Sequence, residues 1–106
     1  MENFLRDHPE VTAVFAINEH LANLTLAAAR NLGLQVPRDL SIICFDGLPL
    51  SEGDWNFTRI IQNQKMIASE AIETLFNKME GKENNTPAEI IVPVEFQEGC
   101  SVAAAR

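Results

Sequence analysis

The order of apolar runs in this chain predicts an α/β fold of the doubly wound kind, with three layers and a mostly parallel sheet between helices. Three observations carry that expectation. Short β-branched and aromatic runs, "VTAVFAI", "LSIICF" and "FTRII", alternate with two stretches of helical periodicity. The first two runs are apolar at successive positions, as strands buried on both faces require. The connection between them is long enough for a helix, and a strand, helix, strand unit of that kind is right-handed.

The first strand is read over Val11 to Ile17, after the loop His8-Pro9. Asn18 follows as the N-cap of a helix, and Glu19 suits the positive end of its dipole. In "EHLANLTLAAARNLG", Leu21, Leu24, Ala28 and Leu32 recur at helical spacing, and Gly33 supplies the stop. Pro37 closes the connection to a second strand, Leu40 to Phe45. That strand runs straight into Asp46 and Gly47. After the loop "LPLSEGDWN", a third strand begins at Phe57 and leads to Gln62. A second helix, over residues 65–80, places Ile67, Ala71, Ile72, Leu75, Phe76 and Met79 on one stripe opposite Lys65, Glu70, Glu73 and Lys78, with Gly81 as its stop. "GKENNTP" is a polar loop. "AEIIVPVEF" is a last strand interrupted at Pro93, which marks an edge or a bend.

At 106 residues the chain suits one domain with a thin core, because so small a fold leaves roughly a third of its unfolded surface exposed. Its net charge of −7 repels phosphate backbones, so the chain is not itself a DNA-binding surface. Cys44 and Cys100 lie in or beside strand-like segments and read as small hydrophobes in a reducing, cytoplasmic setting. No apolar run reaches the roughly 20 residues that cross a bilayer, and "MENFLRDHPE" has no signal-peptide core, so no membrane partner is expected. His8 and His20 have no Cys or second His at ligand spacing, and there is no glycine-rich phosphate loop. No cofactor, metal or catalytic residue is expected.

In a doubly wound sheet the ligand crevice lies beyond the carboxyl ends of the strands, and two such ends carry Asn18 and Asp46. A carboxylate that accepts two hydroxyls, beside an amide that both donates and accepts, is the donor and acceptor set a polyhydroxylated ligand needs. Trp55 could stack on the apolar face of a sugar ring, and Gly47 lets the backbone approach closely. Each has a plainer reading beside it: Asn18 as a helix cap, Asp46 as a turn cap, Trp55 as a local packing lid, and Gln62 as a loop residue.

The ordered set "HPEVTAVFAIN", "GLQVPRDLSIICFD", "FTRIIQ", "MIASEAIETLFNKMEGK" and "EIIVPVEFQEGCS" resembles the effector-binding region of the lactose-repressor/galactose-repressor (LacI/GalR) family of bacterial transcription factors. The resemblance implies a partial periplasmic-binding-protein-like (type I) fold, with residues 1–106 forming the C-terminal portion of a two-lobed effector domain. It implies that helix 65–80 belongs to the other lobe and that the DNA-binding head lies outside this chain, so that operator DNA is met only through that head. It places Asn18 and Asp46 among the effector contacts and Gln62 where the chain passes between lobes. It further implies a homodimer that senses a sugar or nucleobase, with Leu21, Leu24, Trp55 and Phe76 as candidate interface residues. Glu19 stands where the family usually has Asp, and Leu24 and Cys44 where it usually has Gly, so effector identity stays open. Two other readings of the same residues are a sugar receptor of a transport system and a phosphoreceiver or enzyme that uses Asp46.

Overall fold

The computed structural model describes residues 1–47, 55–81 and 89–106. In chain order they form α1 (Glu2–Asp7), β1 (Ala13–Ala16), α2 (Glu19–Asn31), β2 (Ser41–Phe45), β3 (Thr58–Gln62), α3 (Gln64–Met79) and β4 (Val94–Gln97). The four strands make one sheet in the order β1-β2-β3-β4. β1 with β2 and β2 with β3 are parallel, with Ala16 opposite Cys44 and Cys44 opposite Arg59. The expected alternation and the parallel pairing are both present.

The register sorts the side chains by face, because successive residues of a strand point to opposite sides. Val14, Ala16, Ile42, Cys44 and Arg59 share one face, and Phe15, Ile43 and Thr58 the other. The first face meets α2. Its core is Leu5, Ala16, Ala22, Leu26, Ala28, Ala29, Leu40, Ile42, Cys44 and Phe57. The α2 residues turned inward are small, and Ala22 and Ala29 are fully buried, which lets the helix backbone lie close on the strands. This corrects half of the expected stripe, of which Ala28 is buried and Leu32 packs against the core. Leu21 and Leu24, at the same helical spacing, are exposed, and the face carrying Ala22, Leu26 and Ala29 is the one that packs. A count of leucines favours the larger side chains, whereas the sheet selects the face that can approach nearest.

Three further differences concern the ends of elements and the first residues of the chain. "ENFLRD", to which the sequence reading assigned no element, is the short helix α1, whose Leu5 joins the core and whose Arg6 pairs with Glu2 at 3.2 Å. Six residues carry too little periodicity to announce a helix, and packing on α2 supplies what propensity does not. β1 is shorter than Val11 to Ile17. Before Pro93 the expected last strand has no regular structure among the described residues, and β4 begins only at Val94. Pro93 lacks the amide a ladder needs.

The C-terminal segment fastens the amino ends of the strands. The Ser101 hydroxyl accepts from the Thr58 amide at 2.8 Å and donates to the Ile42 carbonyl at 2.5 Å. The Gly99 amide donates to Thr58 Oγ1, the Cys100 amide to the Asn56 carbonyl, and the Ala103 amide to Ser41 Oγ. Gly99 is required here, since a Cβ would collide with the backbone of Asn56 and Phe57.

The chain divides into two compact units, residues 1–61 with 96–106 and residues 62–95. The second contains α3, capped by Asn63, whose side chain accepts from the Met66 amide at 3.0 Å. No residue of α3 is buried, and Ile72, Leu75, Phe76 and Met79 are between 55% and 71% exposed.

Candidate functional site

The carboxyl ends of β1 and β2 bring Asn18 and Asp46 to the same level. Asn18 lies two residues beyond Ala16 and Asp46 two beyond Cys44, and those strand residues are register partners. Neighbouring strands run about 4.8 Å apart, so the two residues follow adjacent strand ends on the same edge of the sheet.

Asn18 is the N-cap of α2 and is itself exposed. Its Oδ1 accepts from the Leu21 amide at 2.8 Å, and its backbone is extended. The capping bond commits the oxygen and fixes the orientation of the amide group. Its Nδ2 has no protein partner among the described residues and keeps two donors for another molecule. Capping and ligand contact are therefore compatible in this one side chain.

Asp46 adopts φ +65°, a left-handed conformation that Asn and Asp tolerate better than most residues. Its amide donates to the Ile60 carbonyl at 2.6 Å, which ties the turn to β3. Gly47 follows at φ +130°, a region closed to other residues without strain. The two together turn the chain sharply off β2, with the Asp46 side chain half-buried.

Beneath them lies a residue that the sequence reading left as an ordinary strand position. Arg59 comes from β3, and its side chain is 1% exposed. Its Nη2 is 3.8 Å from Glu19 Oε1, and its Nε donates to the Phe57 carbonyl at 3.4 Å. A Cβ built on Gly47 would strike Arg59 Nη1 and come within 2.9 Å of Glu19 Oε2, so both charged groups press on the glycine. The signal was present: an arginine in the apolar run "FTRII" is a buried cation, and such a charge needs a partner. Which acid supplied it could not be read from spacing. Cys44, beside Arg59 in the register, is fully buried, and desolvation pushes its thiol up, with Arg59 opposing and Glu19 and Asp46 adding to the shift.

Trp55 stands elsewhere. It packs on the core, lies edge-on to Phe57 with ring centroids 6.4 Å apart, and carries the Arg30 guanidinium 5.5 Å above its ring. With Leu26, Arg30, Leu34, Gln35 and Val36 it lines a cavity of about 280 Å³. Arg30 is about 18 Å along α2 from Asn18 at 1.5 Å per residue, so Trp55 belongs with the far end of that helix. Most of the loop between Asp46 and Trp55 lies outside the described residues. Gln62 is the last residue of β3 and the first of the second unit. His8 pairs with Glu10 at 3.0 Å, and His20 is exposed. Among the described residues no group of three or more His, Cys, Asp or Glu side chains could hold a metal ion, and no helix is long and apolar enough to cross a membrane.

A parallel α/β sheet with polar groups at two adjacent carboxyl ends is the architecture in which doubly wound folds place their ligand crevices. The sequence profile of the periplasmic binding protein-like domain matches residues 1–102, and the chain belongs to that family, in the form carried by LacI-type regulators. It is 35% identical over 78 residues to the HTH-type transcriptional regulator MalR of Clostridium butyricum, which covers 73% of this chain and 23% of that protein. Among solved structures, a LacI-family transcriptional regulatory protein from Corynebacterium glutamicum superposes with a TM-score of 0.73 at 38% identity, over 99% of this chain and 40% of that one. A LacI family regulator from Arthrobacter sp. FB24, in complex with lactose, superposes with a TM-score of 0.77 at 26% identity, over 96% and 39%. The chain thus spans less than half the length of each of these relatives.

Proposed function

We propose that this chain is the effector-sensing and dimerising portion of a LacI-type, DNA-binding transcriptional regulator whose effector is a sugar. The observation that carries the reading is the pairing of Asn18 and Asp46 at adjacent strand ends of a family-matched lobe. The free donors of Asn18 Nδ2 and the carboxylate of Asp46 suit vicinal hydroxyls, and the Arthrobacter relative in complex with lactose supports that ligand class. Gln62 would add a contact where the chain leaves the first unit, with Trp55 acting from the far end of α2 as a packing group rather than as a stacking platform. The relatives named are regulators, and no catalytic step is assigned here.

Operator contact would fall to a separate DNA-binding head, since the net charge of −7 makes this chain a poor ligand for a phosphate backbone. Effector held between lobes would shift their relative orientation and so the spacing of two heads in a cytoplasmic homodimer. Leu21 and Leu24, 39% and 49% exposed on α2, suit that dimer contact, and Phe76 offers a second apolar position.

In the regulator containing this chain, Asn18→Ala and Asp46→Asn are expected to weaken the effector response by about 5- to 150-fold each, since a lost polar partner costs about 1–3 kcal/mol. Operator affinity without effector should stay within about twofold. Anisotropy of a labelled operator, titrated with lactose, ribose and a panel of other mono- and disaccharides, reads both quantities. Wild-type responses from both variants would reduce these residues to caps and move the site elsewhere.

A further inference from the structure

We propose that Arg59 and Glu19 form a buried brace that fixes the Asp46–Gly47 turn to the amino end of α2, which makes both of them positioning residues for the groups that meet the ligand. The assignment rests on the effector reading given above for its functional meaning, while the brace itself stands on geometry alone.

Four observations meet at this point. Arg59 is 1% exposed, far too buried to reach a ligand, and Glu19 at 28% exposure lies within 3.8 Å of its guanidinium. Both side chains touch the space a Cβ would fill at Gly47. Glu19 directly follows Asn18 at the head of α2, and Gly47 directly follows Asp46 at the end of β2. Asp46 is the one non-glycine among the described residues with positive φ, and such a conformation persists only where its surroundings hold it.

The physical consequence is a mechanical link between the two candidate ligand residues. A guanidinium taken out of water is stable only with an anion and hydrogen-bond acceptors around it. Arg59 Nη2 is buried and makes no hydrogen bond among the described residues, so the Glu19 carboxylate at 3.8 Å acts on it through charge, and that attraction favours Glu19 turned inward, which helps set the first turn of α2 and with it the Asn18 side chain. The same guanidinium, with Nη1 nearest the space a Cβ would take at Gly47, limits how far the turn carrying Asp46 can move toward the sheet. A side chain at position 47 would separate the pair. The brace thus explains why a glycine follows Asp46 and why a charge sits in a buried strand.

Amide hydrogen exchange by NMR on this chain, with no sugar present, tests the brace. The Asp46 amide reports the turn, the Leu21 amide the cap at Asn18, and the Ile42 and Thr58 amides the underlying sheet. Glu19→Gln, at a partly exposed position, is the mild variant, and Arg59→Met is the severe one. Glu19→Gln is expected to raise exchange at Asp46 and Leu21 at least 10-fold while leaving Ile42 and Thr58 within twofold. Adding it to Arg59→Met should produce little further increase, because each variant breaks the same link. Unchanged exchange at Asp46, a rise spread equally over Ile42 and Thr58, or additive effects in the pair would each overturn the proposal. If the brace passes while Asn18→Ala and Asp46→Asn respond to effector like wild type, the effector reading fails and the brace stands.

Discussion

Replacing Ser101 with Ala should be among the most damaging single-atom changes available in this chain. The Ser101 hydroxyl is completely buried and stands between two strands: it accepts from the Thr58 amide at 2.8 Å and donates to the Ile42 carbonyl at 2.5 Å. With Ile43 opposite Thr58, the parallel register aims the Thr58 amide at the Ile42 carbonyl, and the Ser101 hydroxyl bridges the two. Removing it forfeits the bond to the Ile42 carbonyl, worth about 0.5–1.5 kcal/mol, and leaves the buried Thr58 amide without a partner, which costs about 1–3 kcal/mol. A loss of about 2–4 kcal/mol is expected, a large part of the roughly 5–15 kcal/mol that holds a domain together. Urea unfolding followed by Trp55 fluorescence measures it. At a slope of about 1–1.5 kcal/mol per molar, the midpoint should fall by roughly 1.3–4 M. Ser41→Ala is the control. Its hydroxyl also bonds this segment, donating to the Ala103 carbonyl at 3.2 Å and accepting from the Ala103 amide at 3.1 Å, in a site only partly buried, and should cost about half as much. A Ser101→Ala midpoint no lower than that of Ser41→Ala would refute the idea that this hydroxyl closes the sheet.

Other outcomes can be checked more briefly. Cys44, buried and with its thiol pushed up by desolvation, should resist iodoacetamide at neutral pH in the folded chain, while the exposed Cys100 is alkylated; mass spectrometry of the labelled peptides distinguishes them, and equal labelling would contradict the packing of β2. The Asp39 carboxyl is held below its ordinary value, first by the Gln35 amide at 2.8 Å and then by Arg38. Its support for the turn is therefore complete above the ordinary carboxylate range and disappears as pH falls through the depressed folded value. An NMR titration should show the Gln35 amide shift following Asp39 in that window, and Asp39→Asn should abolish the transition. With Ile72, Leu75, Phe76 and Met79 more than half exposed on α3, the isolated chain is expected to self-associate; light scattering should show a mass that falls on dilution and falls further with Phe76→Asp, whereas a concentration-independent monomer would mean that the stripe needs no partner.

What the sequence determined by itself is the part of the structure governed by local periodicity. The strand at "LSIICF", the cap at Asn18, the stop at Gly33 and the helix over "KMIASEAIETLFNKM" follow from spacings and from single-residue chemistry, because each is decided within a few residues of where it is read. The adjacency of the strands that Asn18 and Asp46 follow was legible for the same reason: the two runs are parallel neighbours joined by one helix. Contacts across many residues were not legible. That α2 buries Ala22 and Ala29 rather than Leu21 and Leu24 depends on how near the sheet lies, that Leu5 turns six loop-like residues into a helix depends on the surface it meets, and that Ser101 bridges strands β2 and β3 depends on chain closure over 43 positions to Thr58 and 59 to Ile42. The partner of Arg59 belongs to the same group. A buried charge announces that it must be paired, but only the tertiary fold, by bringing the Arg59 side chain to the head of α2, decides that Glu19 lies beside it and that Gly47 lies against both.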